Sequence, residues 1–343
     1  MLTKKITGSS SAAPDRQILV LTLGRFLKKA GCLGRSAWTG IVRAGFGDTF
    51  RPDEGEPSMT LEVEAAVQTD TGCVRESNED GITFVRPETP ERLREKGYLA
   101  VVADGMGGHR GGEVASGIAV TVVPRVYYEH AGRCREALEA ALESANRDIY
   151  RAGAENPDNE GMGTTCTALA IKGGAAYCSH VGDSRLYLVR NGETRQMTED
   201  HSLVMEMVRS GIISPEEARH HPSRNVITRA LGNDSSLQIS SWEQFFPVRE
   251  GDLFVLCSDG LHEYLEEGEL LPYSETADLS EACRALIELA KSRGGKDNIS
   301  VALIRIGARH SVTTVEKTDP PGEGLTFPLR FNQTEEIRWT LPT

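Results

Sequence analysis

The sequence predicts an α+β protein in which antiparallel sheets are covered on the outside by helices. The candidate strands come in consecutive runs, and turn signals such as Gly173-Gly174 and Asn191-Gly192 separate neighbouring strands. The candidate helices fall between these runs. Strands joined by short turns pair antiparallel, whereas a parallel sheet needs a helical crossover between its strands. The pattern therefore argues against a parallel α/β sheet.

Ten segments are predicted to be strands from their apolar content and spacing. Residues 61–68 alternate between apolar and polar side chains, as a half-buried strand does. Residues 98–103 are almost wholly apolar, which predicts a central strand. The other strands are predicted at residues 81–85, 165–171, 175–181, 185–189, 194–197, 238–246, 252–257 and 299–306.

Four segments are predicted to be helices. Apolar side chains recur every four residues in 113–130, and we expect Pro124 to kink or shorten this helix. Residues 134–152 place small and aliphatic side chains on one face. Residues 202–219 and 279–293 complete the set.

The chain divides into three predicted parts: an N-terminal extension at 1–58, a regular body at 59–308 and a flexible polar tail at 309–343. The extension carries nine basic and five acidic side chains and has weak periodicity. Three interpretations of it stay open: a disordered or loosely helical segment, a short basic element at 25–29 that contacts a membrane or partner, or a natural start at Met59.

Bulk properties restrict the function. The 343 residues carry a net charge of −12 and no basic stripe, so nucleic acid is not expected as a partner. The seven cysteines form no CxxC pair, which argues against zinc and predicts a reducing, cytoplasmic setting. No apolar stretch has the length that a membrane span needs.

Acidic residues recur at predicted strand ends, and this pattern predicts a metal site. The four places are Glu79-Asp80, Asp104-Gly105, Asp259 and Asp297. If the fold brings them together, the carboxylates repel one another unless cations neutralise them. Oxygen ligands favour Mg²⁺ or Mn²⁺. Each place taken alone could equally be a turn or a helix cap, and so could Asp183 between two strands.

Eight segments resemble the ordered motifs of the bacterial type 2C metal-dependent Ser/Thr protein phosphatases, the PPM family. The resemblance runs from about residue 61 to 306 and implies a four-layer α-β-β-α sandwich with a helical flap at about 203–224 beside the active site. The segments are RESNED (75–80), ADGMGGHRGGEVAS (103–116), GMGTT (161–165), VGDSR (181–185), TEDHS (198–202), NVITRALG (225–232), LCSDGL (256–261) and GGKDN (294–298).

The resemblance also implies a ligand set for two Mn²⁺ or Mg²⁺ ions, with a possible third. Asp104 would bridge the two ions, and Asp259 and Asp297 would complete the protein ligands of the first ion. Glu79 and the carbonyl of Gly105 would serve the second. By the same resemblance, Asp80 would be an outer partner of this cluster, and Asp183 would share a third ion with Asp259.

Two further residues are candidates for contact with the phosphate. Arg75 would bind it, because a guanidinium fork matches two phosphate oxygens. His109 either acts as the general acid or faces solvent, and its ordinary pKa suits both. Cys257 is expected to be a core residue, since the Cys-x5-Arg loop of cysteine-dependent phosphatases is missing from the sequence.

The implied function is hydrolysis of phosphoserine and phosphothreonine in proteins by a metal-bridging water, in opposition to a bacterial Ser/Thr kinase. We expect phosphorylated proteins as partners and a monomeric enzyme. One alternative is a catalytically silent, phosphatase-like module that binds phosphoproteins. A more distant one is a metallohydrolase of small phosphoesters.

Overall fold

The computed structural model describes residues 62–107 and 111–307, which form two antiparallel sheets between two layers of helices. Every named strand pair in these residues is antiparallel. The α+β class and the four layers are therefore confirmed. The predictions for 1–58, for Met59 as a start, for 309–343 and for His109 lie outside the described residues.

The first sheet has five strands and contains both ends of the described chain. Strand β1 pairs with β12 along nine register positions, from Glu62 opposite Gly307 to Asp70 opposite Ile299. In spatial order the strands are β1 (Glu62–Asp70), β12 (Ile299–Gly307), β11 (Leu253–Cys257), β7 (Arg185–Arg190) and β8 (Glu193–Gln196).

The second sheet has seven strands. Strand β3 lies inside this sheet, between β5 and β2, and is buried along its whole length, as the apolar sequence predicts. The main order is β10 (Phe246–Pro247), β6 (Ala175–Val181), β5 (Cys166–Lys172), β3 (Tyr98–Met106) and β2 (Asp80–Val85), while β4 (Gly163–Thr164) pairs with β3 and β9 (Ser240–Ser241) with β6.

Seven α-helices are present in the described residues. Helices α2 and α3 cover the second sheet, and α7 covers the first. Among these residues no helix is long and apolar enough to cross a bilayer. The helices are α1 (Pro90–Lys96), α2 (Gly111–Glu129), α3 (Cys134–Glu155), α4 (Leu203–Arg209), α5 (Pro215–Arg219), α6 (Asp259–His262) and α7 (Leu279–Ser292).

Strand alternation divides the core into three apolar layers. In β3, Val101 faces α2 and α3, whereas Val102 faces the opposite sheet. In β11, Phe254 joins the layer between the sheets, whereas Val255 packs toward α7. Successive side chains of a strand point to opposite faces, and both faces of each sheet are covered. The sheets are thus held in a fixed relation, which matters because both contribute to the site.

The prediction of one helix at 202–219 is wrong. The segment contains two short helices, α4 and α5, with Gly211 between them at a φ of 69°. This left-handed conformation ends the first helix. Ser214 then caps the second, and Pro215 occupies its first turn. The predicted flap is therefore a pair of short helices.

The prediction of one long strand at 238–246 is also wrong. The segment instead contains two separate strands of two residues each, β9 and β10, which pair with β6. Between them the Trp242 indole donates a hydrogen bond of 3.2 Å to the Met197 carbonyl, and its ring packs into the layer between the sheets. This contact draws the segment away from a continuous ladder.

The helix predicted at 113–130 is confirmed as α2, but Pro124 does not shorten it, and a further helix, α1, was missed. Helix α2 continues through Pro124 to Glu129, because Val122, Val123 and Tyr127 on either side are buried in the core. Their burial offsets the backbone hydrogen bond that proline cannot make. Helix α1 was not predicted. Its signals are local: Thr89 caps it, Pro90 begins it, and Gly97 ends it at a φ of 71°.

Candidate active site at the acidic rim

The acidic residues from both sheets meet at one end of the sandwich, which we call the acidic rim. In the second sheet Asp80 lies opposite Asp104 in the β2–β3 register. In the first sheet, Asp297 precedes β12 and Asp259 follows β11, and these strand ends are neighbours. The Ser258 hydroxyl donates a 2.8 Å hydrogen bond to Asp80 Oδ2, which joins the two sheets at this edge.

The backbone at Asp104 and Gly105 is fixed from both sides. The Asp104 N–H donates to Thr165 Oγ1 at 2.8 Å, and the Thr164 hydroxyl donates to the Asp104 carbonyl at 2.9 Å. A Cβ on Gly105 would lie 2.2 Å from the carbonyl oxygen of Gly112, so no larger residue fits there. The Asp104 side chain is thereby held at the rim with only 4% of its surface exposed.

Asn298 holds the loop that carries Glu79. Its Nδ2 donates to the carbonyls of Thr71 and Ser77 at 3.0 and 2.9 Å, and its Oδ1 accepts from the Glu79 N–H at 2.8 Å. This side chain precedes β12 in the first sheet, whereas Glu79 precedes β2 in the second. The contact therefore sets Glu79 against the rim. The Glu79 carboxyl carbon lies 2.9 Å from the position that a Cβ on Gly112 would take.

Arg75 lies at the same rim and forms a two-point ion pair with Asp297. Its Nε is 2.9 Å from Oδ1 and its Nη2 is 3.0 Å from Oδ2. The fork that binds a carboxylate in this way also matches two oxygens of a phosphate. The guanidinium is partly exposed, so a ligand entering from solvent can reach it.

The loop with Asp183, residues 181–184, is held by buried histidines. The Gly182 N–H donates to His201 Nδ1 at 3.0 Å, and the His201 N–H donates to the Gly182 carbonyl at 2.7 Å. His262 Nε2 contacts the Asp183 carbonyl at 3.0 Å. Asp183 itself is buried, between the end of β6 and the start of β7.

The charge of the rim fits a hard divalent cation. Burial raises the pKa of Asp80 to about 7; hydrogen bonds from Ser300 and Ser258 oppose this, and the charges of Asp259 and Asp297 add to it. A cation would offset this repulsion, and carboxylate oxygens are the ligands that Mg²⁺ and Mn²⁺ accept. Within residues 62–107 and 111–307, no three His, Cys, Asp or Glu side chains already form a metal-binding group. Asp80 is turned to Ser258 and Asp297 to Arg75, so binding requires side-chain rotation.

The fold brings the described candidates to one rim. They are Arg75, Glu79, Asp80, Asp104, Gly105, Asp183, Asp259 and Asp297. Cys257 is fully buried, and burial raises the pKa of its thiol to about 12, which confirms it as a core residue. His201 is buried beside Gly182.

Sequence reasoning did not single out the residues that position the acids. Thr164, Thr165, Ser258 and Asn298 each fix a candidate ligand through a hydrogen bond. All four residues lie within the family motifs, and this was the feature of the sequence that could have identified them. Their partners are 60 to 219 residues away in sequence, so spacing alone does not reveal the pairs.

Two buried histidines next to the rim are expected to make the fold sensitive to acid. Burial lowers the pKa of His180 to about 4, and burial with nearby cationic groups lowers that of His201 to about 2. Both are neutral in the folded protein, whereas the unfolded chain protonates below a pKa of about 6.5. Their contribution to stability is complete above pH 6.5 and is lost as the pH falls toward 4, by about 1.4 kcal/mol per pH unit for each histidine.

We therefore expect His180→Gln to lose less stability than the wild type between pH 7.5 and 5.0, by about 2 kcal/mol. Urea unfolding in EDTA measures the free energy of unfolding at each pH. Asp80, whose raised pKa stabilises the folded state in acid, is present in both proteins, so its contribution cancels in the comparison. His220→Gln is the control, because His220 is exposed. Equal acid losses in the wild type and His180→Gln would contradict the assignment.

Comparisons with known proteins agree with this fold and rim. The protein phosphatase 2C model matches residues 90–303. The chain is 37% identical over 249 residues to the serine/threonine phosphatase stp of Listeria innocua, covering 71% of this chain and 95% of that protein. It is 37% identical over 247 residues to the serine/threonine protein phosphatase PstP of Mycobacterium tuberculosis, covering 71% of this chain and 45% of that protein.

Solved structures give the same result. The crystal structure of M. tuberculosis PstP/Ppp superposes with a TM-score of 0.64 at 35% identity, covering 73% of this chain and 100% of that one. A PstP catalytic domain in complex with two manganese ions has a TM-score of 0.62 at 35% identity, with the same coverage.

A two-sheet sandwich with an acidic rim and these relatives define a metal-dependent serine/threonine protein phosphatase. The chain belongs to the protein phosphatase 2C family. The resemblance found in the sequence motifs is thereby confirmed.

Proposed function

We propose that the acidic rim is the active site and that it hydrolyses phosphoserine and phosphothreonine in proteins with Mn²⁺ or Mg²⁺. The observation that carries the proposal is the meeting of carboxylates from both sheets, joined by the Ser258–Asp80 hydrogen bond. Two manganese ions are present in the related PstP structure. The silent binding module is not favoured, because the relatives are phosphatases and the sequence contains every acid that the motifs predict.

The proposed ligand set follows the motifs and the geometry. Asp104, in β3 of the second sheet with a fixed backbone, would be the ligand common to two ions. Asp259 and Asp297 from the first sheet would hold the first ion, and Glu79 with the Gly105 carbonyl from the other sheet would hold the second. Asp80, held by Ser258, is an outer partner. Asp183 and Asp259 are the residues that would share a third ion.

The residues of the chain would then act on the substrate as follows. When bound, a pair of divalent ions supplies an activated water and offsets phosphoryl charge. Arg75 exchanges its Asp297 carboxylate for two phosphate oxygens and orients the phosphoryl group for in-line attack. Asn298 keeps the loop that carries Arg75 and Glu79 on the rim. His109 stays a candidate for protonating the leaving oxygen.

The flap at residues 203–224 is proposed to control substrate access. The Leu203 N–H donates to the Val226 carbonyl and ties the base of the flap together, while Arg224 lies 4.0 Å from Glu263, just after α6. The flap therefore ends beside the element that carries Asp259. The exposed Ile212 lies between its two helices and is available to a protein substrate.

We also propose the bounds of the catalytic domain, the source of its substrates, its oligomeric state and its location. Residues 59–308 form the catalytic domain, with 1–58 and 309–343 outside it. A bacterial Ser/Thr kinase supplies the phosphoprotein substrates, and the enzyme works as a monomer in the cytoplasm.

The proposal is tested with the full chain, p-nitrophenyl phosphate and a phosphothreonine peptide, with and without Mn²⁺. We expect metal-dependent release of phosphate from both. Arg75→Lys keeps the charge but loses the fork, so we expect KM for the peptide to rise by about tenfold, equivalent to about 1.4 kcal/mol, with a smaller change in kcat.

Arg92→Lys is the matched control, since Arg92 lies against the Tyr128 ring at the other end of the sandwich. A folded chain that binds Mn²⁺ and peptide but releases no phosphate would favour the silent module. Turnover of p-nitrophenyl phosphate without turnover of the peptide would favour a small-phosphoester hydrolase.

A further inference from the structure

His262 is a buried residue beside the rim that the proposed mechanism does not use. It is the last residue of helix α6 and is only 9% exposed. Asp259 begins the same helix. Residues three positions apart in a helix lie on neighbouring parts of one face. The His262 imidazole and the Asp259 carboxylate therefore lie on the same face of α6 at the rim.

The imidazole binds a segment from a different part of the chain. Its Nε2 lies 3.0 Å from the carbonyl oxygen of Asp183. Because a carbonyl oxygen only accepts hydrogen bonds, Nε2 carries the proton and donates it. His262 thus connects the helix of Asp259 directly to the backbone of Asp183, across 79 positions in sequence.

The other contacts on this loop come from elsewhere. His201 makes two hydrogen bonds to Gly182: its Nδ1 accepts from the Gly182 N–H, and its backbone N–H donates to the Gly182 carbonyl. At Ser184, the hydroxyl is 2.6 Å from Thr165 Oγ1 and the carbonyl accepts from the Thr167 hydroxyl at 2.9 Å. Both threonines belong to the second sheet or its edge. These contacts fix the loop to that sheet. The β7–β11 pairing, with Arg185 opposite Cys257, ties the end of the loop to the first sheet, and His262 adds the side-chain contact between the loop and α6.

We propose that His262 is a positioning residue that sets the spacing between the Asp183 and Asp259 carboxylates, and thereby the affinity of the third cation that these two acids would share. The inference rests on the proposed ligand set. An outer hydrogen bond of this kind typically contributes a factor of 10 to 100 in metal affinity. Asp183, whose carbonyl His262 contacts, is assigned to the third ion alone. Asp259 is also assigned to the first ion, but that ion would be held by Asp104 and Asp297 as well.

The test compares the full-length wild type with His262→Leu and His262→Gln by calorimetric titration with Mn²⁺ alone. Leu removes the donor, so we expect the weakest class of Mn²⁺ sites to lose affinity by about 10-fold or more while the two tighter sites keep theirs. Gln keeps an amide N–H that can reach the Asp183 carbonyl, so it should restore most of the loss.

Tyr127→Phe is the matched control. It removes another buried side-chain bond to a backbone carbonyl, from the Tyr127 hydroxyl to Lys96 at 2.6 Å, at the opposite end of the sandwich. It should leave all Mn²⁺ sites unchanged. If His262→Leu does not fold, His262→Asn replaces it, because its amide is too short to reach the carbonyl.

The outcomes separate the two proposals. Unchanged affinities in His262→Leu, an equal loss at every Mn²⁺ site, or a Gln variant no better than Leu would overturn the role of His262. A wild type that binds two ions and no third would overturn it as well. A folded wild type that binds no Mn²⁺ would instead overturn the proposed function itself.

Discussion

Asp104→Asn is expected to abolish metal-dependent phosphate release by the full chain. The carboxylate is the proposed bridge between two ions, and its neutral replacement removes one ligand charge from both. Even an outer-shell residue costs 10- to 100-fold, so we expect a bridging ligand to cost more than about 10²-fold in kcat/KM. Release of p-nitrophenol across a range of Mn²⁺ concentrations measures the loss.

The fold of this variant should be intact, since the backbone contacts of Asp104 with Thr164 and Thr165 do not involve its carboxylate. Its melting temperature in EDTA should equal or exceed that of the wild type, because one acid of a repelling group is gone. Asp158→Asn, at an exposed position outside the proposed ligand set, is the control. Activity of Asp104→Asn within tenfold of the wild type at saturating Mn²⁺ would refute the assignment.

Asp252→Asn is expected to reduce the free energy of unfolding by about 3–5 kcal/mol. Asp252 and Arg190 form a buried two-point ion pair with both contacts at 2.6 Å, and their side chains are 1% and 4% exposed. Arg190 also donates to the Pro247 carbonyl and lies over the Phe246 ring, so it connects the two sheets. Removing one partner leaves a buried charge without compensation.

Urea unfolding in EDTA measures this effect. The double variant Arg190→Met with Asp252→Leu removes both charges and should recover much of the loss, because a well-packed apolar pair often equals or exceeds a buried ion pair. Glu91→Gln is the surface control, since its bond to Arg94 is exposed. A loss below 1 kcal/mol in Asp252→Asn would show that the buried pair is not structurally important.

The apolar content and spacing of the strands predicted the sheets well, because both are local properties. Residues 98–103 could be placed in a central strand and residues 252–257 in a strand, and the structure buries β3 and β11. The single helix at 202–219 was mispredicted because helical periodicity continues through Gly211, whose left-handed backbone conformation ends the first of two helices. Residues 238–246 failed for a different reason: a tertiary contact of Trp242 outweighed local strand preference.

The acids of the site could be predicted from the sequence, whereas the residues that position them could not. Aspartates at strand ends indicated a common edge, and the motifs supplied the roles that are proposed for them. The hydrogen bond from Ser258 to Asp80 joins residues 178 positions apart, and nothing in either local sequence predicts that pair. The two-point contact of Arg75 with Asp297 was likewise not foreseen, since the motif implied a phosphate partner for the guanidinium.

The pairing of β1 with β12 makes the order of synthesis relevant to activity. Asp297 stands directly before β12, which lies between β1 and β11 in the first sheet. A chain still emerging from the ribosome has neither the final acid nor the strand that fills this gap. Under the proposed assignment, we expect chains that end before Asp297 to release no phosphate.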